Sequence, residues 1–282
     1  MPQNVTDAST FDDPIVEMAD SDPLDATYAR TAIQGLANRT RYLDNEKPSR
    51  FSVGYLFKGG QRPYLRSVST TQIEIGPIPG VMIAGVAHDA GSIATTITPA
   101  LTANAWYYVY TYDDAGVIAF EVVMVAPDPT LTYKSTDATR RYIGCFRTDA
   151  SSHVVPFRMD GGNYLYRWSG QSVSDFWRAL NGGAATTATA IPLNDAGGGN
   201  TLAPPHVRQV TVRVRTSNFH TSDTGVNVFT YGDTGVGYDT DAPASGYSVD
   251  VFNIECDSSQ RLGYVSGNAA CTLTLWVMGF RE

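Results

Sequence analysis

Short runs in which apolar and polar residues alternate one by one, closed off by glycine and proline, leave this chain few folds to choose from. Val210, Val212 and Val214 alternate with Thr211, Arg213 and Arg215. A period of two puts one row of side chains against a core and the next in water, as in a half-buried strand. Val226–Tyr231, Tyr247–Glu255, Leu262–Val265 and Cys271–Phe280 are further runs that read as strands. The last of them ends the sequence with almost no tail, so the C-terminus is expected to be packed in place.

The same pattern holds from Phe51 to about Trp168. Arg66–Ile75, Val81–His88 and Ile93–Thr98 are short strand segments punctuated by Gly and Pro. Trp106-Tyr107-Tyr108-Val109-Tyr110-Thr111-Tyr112, the turn Asp114-Ala115-Gly116, and Val117–Val125 predict a hairpin. Arg140–Arg147, the turn Asp149–Ser152 and Val154–Met159 predict a second, and Asp160-Gly161-Gly162-Asn163 leads into Tyr164–Trp168. Many short strands with turns between them imply a sandwich or jelly-roll-like barrel. Between the two strand-rich regions, Asn181–Ala190 is of low complexity and reads as a linker. The expected fold is therefore mainly β. An N-terminal arm and a single helix (1–50) precede two antiparallel β-sandwich domains (51–168 and 191–282), joined by a linker (169–190). Trp168 and Trp177 are expected at the junction.

Residues 1–22 are acidic and broken by Pro14, which suits an extended arm. Asp22 is then a good helix N-cap, with Pro23 at the tolerated first position. Ala26, Ala29, Ile33, Leu36, Thr40 and Leu43 recur at alternating spacings of three and four, the heptad stripe of a helix that meets another helix. Only Ile33, Leu36 and Leu43 are large, worth about 2 kcal/mol each if fully buried. Ordering about 20 residues costs on the order of 1 kcal/mol or more apiece. Such a helix must pack on something else: its own β-domain, a symmetry copy or a larger particle.

Composition narrows the function. A net charge of -8 over 282 residues and a pI near 4.9 argue against a nucleic-acid partner, which needs a clustered positive face. Arg208, Arg213 and Arg215 are the nearest approach to one. The residues after Met1 are polar and acidic, unlike a signal peptide. No apolar run approaches the roughly 18 residues of a membrane span. Synthesis in the cytoplasm without membrane insertion is expected. Cys145, Cys256 and Cys271 are an odd number, which excludes a fully paired disulfide framework.

Tests for catalysis give little. His88, His153, His206 and His220 are scattered, with none at metal-ligand spacing. His220-Thr221-Ser222-Asp223 holds the residue types of a relay, but neighbours along one strand do not converge as a relay must. Gly197-Gly198-Gly199-Asn200 lacks the strand-then-helix frame of a nucleotide site. The sequence holds 28 acids, so chance carboxylate pairs abound and spacing identifies no glycosidase pair. No catalytic residue, cofactor or metal is expected. The most site-like piece is the loop from Asp233 through Tyr238 and Asp239 to Asp241. Its acids could ligate Ca²⁺ and its tyrosine could meet a sugar, although a solvated hairpin loop is the plainer reading.

One phrase is less generic. Leu36-Ala37-Asn38-Arg39-Thr40-Arg41-Tyr42-Leu43, after an acidic segment, resembles the N-terminal part of tailed-bacteriophage tail-fibre and tail-associated proteins. Leu101–Tyr110 with Asp113–Gly116, Tyr133–Ser135 with Thr139–Gly144 and Phe146–Ala150, and Ile191-Pro192-Leu193 with Ala203-Pro204-Pro205 are similar to the same group. The resemblance implies a virion protein, trimeric, docked through Ile33, Leu36, Asn38, Arg39 and Leu43 onto other virion proteins. Its β-modules would project outward, for attachment to a host-surface glycan or receptor. No long repetitive shaft is present, so a capsid-decoration or head-fibre protein stays open, as do a glycan-binding adhesin and a polysaccharide hydrolase. Leu36→Asp is expected to lower oligomerisation or incorporation into particles while leaving the β-sheet circular dichroism unchanged. Unaltered mass and incorporation would remove that role from the helix.

Overall fold

The computed structural model describes residues 3–5, 15–17, 57, 62–89, 91, 93–167, 177–194, 201–218, 224–233, 237–242 and 246–282. The expected helix and its docking residues Ile33, Leu36, Asn38, Arg39 and Leu43 lie outside them. Apart from turns and loops, the described chain is built of strands. In order, the strands are β1 (Gln3–Val5), β2 (Ile15–Glu17), β3 (Leu65–Ser67), β4 (Ile73–Ile75), β5 (Val81–Ile83), β6 (Val86–His88) and β7 (Thr95–Ile97). Next come β8 (Trp106–Asp114), β9 (Val117–Val123), β10 (Tyr133–Lys134), β11 (Asp137–Arg147), β12 (Phe157–Asp160) and β13 (Asn163–Tyr166). The remainder are β14 (Arg178–Gly183), β15 (Thr189–Pro192), β16 (Gln209–Asn218), β17 (Thr224–Thr230), β18 (Gly237–Ala242), β19 (Tyr247–Glu255), β20 (Arg261–Ser266) and β21 (Cys271–Arg281).

The mainly β, antiparallel, sandwich-like class expected from the alternation is what forms. One four-stranded sheet runs β10-β11-β8-β9 and another β15-β20-β17-β18. A nine-stranded sheet runs β19-β16-β21-β13-β12-β3-β4-β7, with β14 also on β21. This large sheet draws strands from both sides of residues 169–190: Tyr164 of β13 lies opposite Phe280 of β21. A continuous apolar core runs from Leu65 and Tyr110 through Val212 to Leu275 and Phe280. The two β-regions thus share hydrogen bonds and a core.

Local chemistry explains most elements. β16 buries every second residue, Val210, Val212, Val214, Thr216 and Asn218, as its pattern dictates. The β8–β9 hairpin turns on Ala115 and Gly116, both at positive φ, with the Gly116 N–H donating to Asp113 Oδ1 at 2.8 Å. That is a two-residue turn whose twist matches the strands. Gly161 and Gly162 make the same kind of turn between β12 and β13.

Some expectations need correction. Val81–His88 is a tight hairpin around Ala84 and Gly85 rather than one strand. The turn at Asp149–Ser152 exists, closed by Asp149 N–H to His153 O at 2.9 Å, but the flanking strands join only through a Thr148–Val154 bridge. β11 instead pairs with β8 and β10, and β12 with β3 and β13. The stretch read as a linker holds β14 and β15, paired with β21 and β20. Small residues there let β14 follow β21 with register shifts instead of freeing it. Trp177 packs on Tyr166 with ring centroids 3.8 Å apart; Trp168 lies outside the described residues.

A run of nearly parallel rings crosses from the β8–β11 sheet into the large one. Tyr107 stacks on Phe146 at 5.4 Å, Phe146 on Phe157 at 5.9 Å, Phe157 on Tyr164 at 5.0 Å, and Tyr164 on Phe280 at 4.3 Å. Each such pair contributes about 1 kcal/mol beyond its burial. Where β13 meets β21 the backbones approach so closely that a Cβ on Gly279 would sit 2.0 Å from the Tyr164 carbonyl oxygen. Gly279→Ala should therefore lower stability by about 2 kcal/mol, since backbone, not a flexible side chain, must yield. Urea denaturation measures this, and an unchanged midpoint would contradict the close approach.

Candidate functional site

The described residues offer two places where functional side chains gather. One is buried. Glu282 follows β21, and its side chain is 0% exposed. Its Oε1 accepts hydrogen bonds from Tyr142 Oη at 2.6 Å, Cys145 Sγ at 3.3 Å and His206 Nε2 at 2.9 Å. Because a carboxylate only accepts, Nε2 of His206 must carry the proton. Arg62 Nη1 donates to Oε2 at 2.6 Å, and its guanidinium lies 5.1 Å from the Tyr142 ring centroid.

A β-bulge brings two of these partners to one face. Tyr142 and Cys145 are three residues apart, which on a regular strand sends them to opposite sides. The register of β11 slips between Tyr142 and Gly144, however, so Tyr142 faces Tyr110 and Cys145 faces Tyr108. His206 sits in the turn closed by Val207 N–H to Pro204 O at 3.0 Å, with Tyr108 at 5.9 Å between ring centroids.

Electrostatics follow from that geometry. Burial alone pushes the Glu282 carboxyl up, but the His206 hydrogen bond, the Arg62 charge and the Tyr142 hydroxyl outweigh it and hold the group below its ordinary value. Burial drives the Cys145 thiol and the Tyr142 hydroxyl far upward, and the neighbouring carboxylate adds to both shifts. Cys145 is therefore a protonated thiol with no solvent access, not a nucleophile.

The Cys145, His206 and Glu282 ligand atoms all lie within 4.8 Å of one another, a donor set that zinc accepts. Both carboxylate oxygens already have donors, however, and Arg62 places a positive charge where a dication's would be. Moreover Nδ1 of His206 is buried without a hydrogen-bond partner. A ligating Nε2 would move the proton to Nδ1, where no acceptor orients it. The arrangement fits a charge-assisted structural lock better than a metal centre.

The second place is open. β19 is the last strand of the large sheet, and on its outer face Tyr247, Val249 and Val251 are 63%, 40% and 62% exposed. Register puts them opposite Ser217, Arg215 and Arg213 of β16. The Arg215 guanidinium lies 4.8 Å from the Tyr247 ring centroid and that of Arg213 5.4 Å from Trp276. Thr211 donates to Asn253 Oδ1 at 2.6 Å lower on the same face.

The loop singled out in the sequence is the β17–β18 hairpin. Asp233 closes its turn through N–H to Thr230 O at 2.9 Å. Tyr238 stacks on Phe252 of β19 at 4.2 Å, whereas Asp239, next along the strand, accepts from Asn227 Nδ2 at 2.7 Å. Successive strand residues point to opposite faces, so these two do not converge on one ligand. Asp241 lies opposite Gly225. His220-Thr221-Ser222-Asp223 and Gly197–Asn200 fall outside the described residues. Cys256 and Cys271 stand at opposite ends of β16, beside Arg208 and Asn218, about 30 Å apart by strand rise. All three cysteines are free and buried. Among the described residues no helix is long and apolar enough to cross a membrane.

No family model matches this sequence, and no curated protein matches it. Among solved structures, an exo-β-1,3-galactanase of Phanerochaete chrysosporium with galactose is 14% identical, with 77% of this chain and 68% of that one covered, at a TM-score of 0.24. A Bacillus thuringiensis Cry1Da tryptic core variant is 9% identical, covering 79% and 52%, at a TM-score of 0.25. An Arthrobacter globiformis isomalto-dextranase complexed with panose is 13% identical, covering 74% and 36%, at 0.21. Likenesses this slight carry no inference about activity.

The lock makes a prediction. Glu282→Gln removes one partner of a buried ion pair and should cost about 3 kcal/mol in chemical denaturation. Because the folded-state value is depressed, this stabilisation is complete above the ordinary glutamate value of about 4.3. It fades as pH falls through the lower folded value. The native protein should therefore lose more stability than Glu282→Gln on acidification below about pH 4. Equal acid sensitivity would show that the carboxylate is not held ionised.

Proposed function

We propose that this chain is a structural protein of a tailed-bacteriophage particle, docked through its N-terminal segment and presenting β-sheet surfaces to other molecules. The observation that carries a structural and interactive role is the uncovered row Tyr247, Val249 and Val251 on the nine-residue edge strand β19. Soluble monomers blunt such edges with charged side chains, above all lysine, and with proline, bulges or a covering element; β19 holds neither Lys nor Pro, and its two acids are Asp250, on the opposite face, and Glu255, its last residue. Exposed Tyr247 with Arg215 beside it also supplies residue types that are enriched in protein interfaces. The one convergence of cysteine, histidine and carboxylate among the described residues is largely buried, its carboxylate already bonded to Arg62, Tyr142 and His206, which suits a role in the fold.

The phage assignment itself rests on the Leu36–Leu43 phrase and the strand phrases at Leu101–Tyr110 and Tyr133–Ala150. The resemblance favours a tail fibre or tail-associated part. An antibody against the purified chain, applied to density-purified phage particles and imaged by electron microscopy, is expected to label the tail. Label confined to the head would move the assignment to capsid decoration. Absence of the chain from purified particles would overturn the virion reading.

A further inference from the structure

Building on the reading of β19 as an assembly surface, we infer that its partner is a second copy of this chain, joined edge to edge by antiparallel pairing of β19 about a two-fold axis at Val251. β19 runs from Tyr247 to Glu255, so Val251 is its midpoint and this register alone spans the strand from end to end, with the Glu255 carbonyl at its far end also accepting from Thr230 Oγ1 at 2.8 Å. It sets Val251 against Val251, Val249 against Asn253 and Tyr247 against Glu255. On the opposite face it sets Asp250 against Phe252 and Ser248 against Ile254.

Charge is consistent with this arrangement. No like charges lie directly opposite in this register, and Asp250 and its symmetry mate meet only on the diagonal, two residues apart along the strands. Glu255 of the second copy falls beside Tyr247, over whose ring the Arg215 guanidinium already lies at 4.8 Å. The two-fold repeats this contact at the other end, so each copy supplies one arginine and one acid. Moving the axis by one residue to Asp250 would set two exposed carboxylates directly opposite, a destabilising cross-strand pair. The strand carries acids but no cation of its own, so a cation has to come from the neighbouring β16, as Arg215 does.

The contact extends about 30 Å along the strand. It is at the small end of stable interfaces, where association is concentration-dependent. An isologous contact of this kind closes on itself and produces dimers, not filaments and not the trimer that the N-terminal resemblance implies.

Cysteine cross-linking in the full chain tests the register, because Cys145, Cys256 and Cys271 are buried. Val251→Cys, oxidised under mild conditions, is expected to give a covalent dimer on non-reducing electrophoresis. Val249→Cys, which faces Asn253 in this register, is expected to give little. Glu255→Arg should abolish the non-covalent dimer in analytical ultracentrifugation, and Arg215→Glu combined with Glu255→Arg should restore it. A Val251→Cys protein that stays monomeric on oxidation overturns the proposal, and Val249→Cys cross-linking as readily overturns the register. Dimerisation of the isolated chain and its presence in particles are read separately. Loss of the first with the second intact defeats only this inference, and the converse defeats only the virion reading.

Discussion

A single carboxylate, removed from water and held ionised, fixes how the segments of this protein meet. Glu282 gathers donors from the start of the large sheet (Arg62), from the bulged strand β11 (Tyr142 and Cys145) and from the turn before β16 (His206). None of these contacts is optional once the group is buried. An unpaired buried carboxylate is among the most costly arrangements a fold can adopt, so a register slip in any contributing element is opposed. The stacked rings from Tyr107 to Phe280 join the same sheets through apolar surface. The rings join the sheets through apolar burial, and the carboxylate penalises any register that would leave it unpaired.

What the sequence revealed and what it hid divide along the length scale of the interaction. Alternation at Val210, Val212 and Val214 is local, and β16 follows it residue for residue. Turns built on Ala115-Gly116 and Gly161-Gly162 are also local, since positive φ is a property of the residues themselves. The lock was not legible. Glu282 is 220 residues from Arg62, 140 from Tyr142 and 76 from His206, and no spacing rule spans such separations. The spacing that was present misled: three residues between Tyr142 and Cys145 argue for opposite faces until the bulge reverses one of them. Likewise the low-complexity stretch around Gly182 carries no strand signal of its own. Its strand order comes from β21, on which it lies, a case of tertiary context overriding propensity.

Missing the exposed edge had a different cause. The run Tyr247–Glu255 read correctly as a strand, but alternation does not say whether its neighbour on either side exists. Only the strand order shows that β16 lies on one side and that no described strand lies on the other. Val249 and Val251 would read as core residues in a central strand; at the end of the sheet they are surface.

The two features are mechanically connected. Glu282 immediately follows β21, β21 hydrogen-bonds β16 along nearly its whole length, and β16 carries β19. A displacement at the outer edge must therefore strain a ladder whose far end is tied to a buried ion pair. Binding surfaces on such rigid elements lose little conformational entropy on association, which matters most where the contact area is small. Tyr238 supports this from behind, since its ring backs Phe252 on the inner face of β19 at 4.2 Å. The acids of the β17–β18 hairpin, which in sequence look like ligands, are thus better understood by what surrounds them. Asp239 is bonded to Asn227, and the residue beside it braces the strand that faces outward.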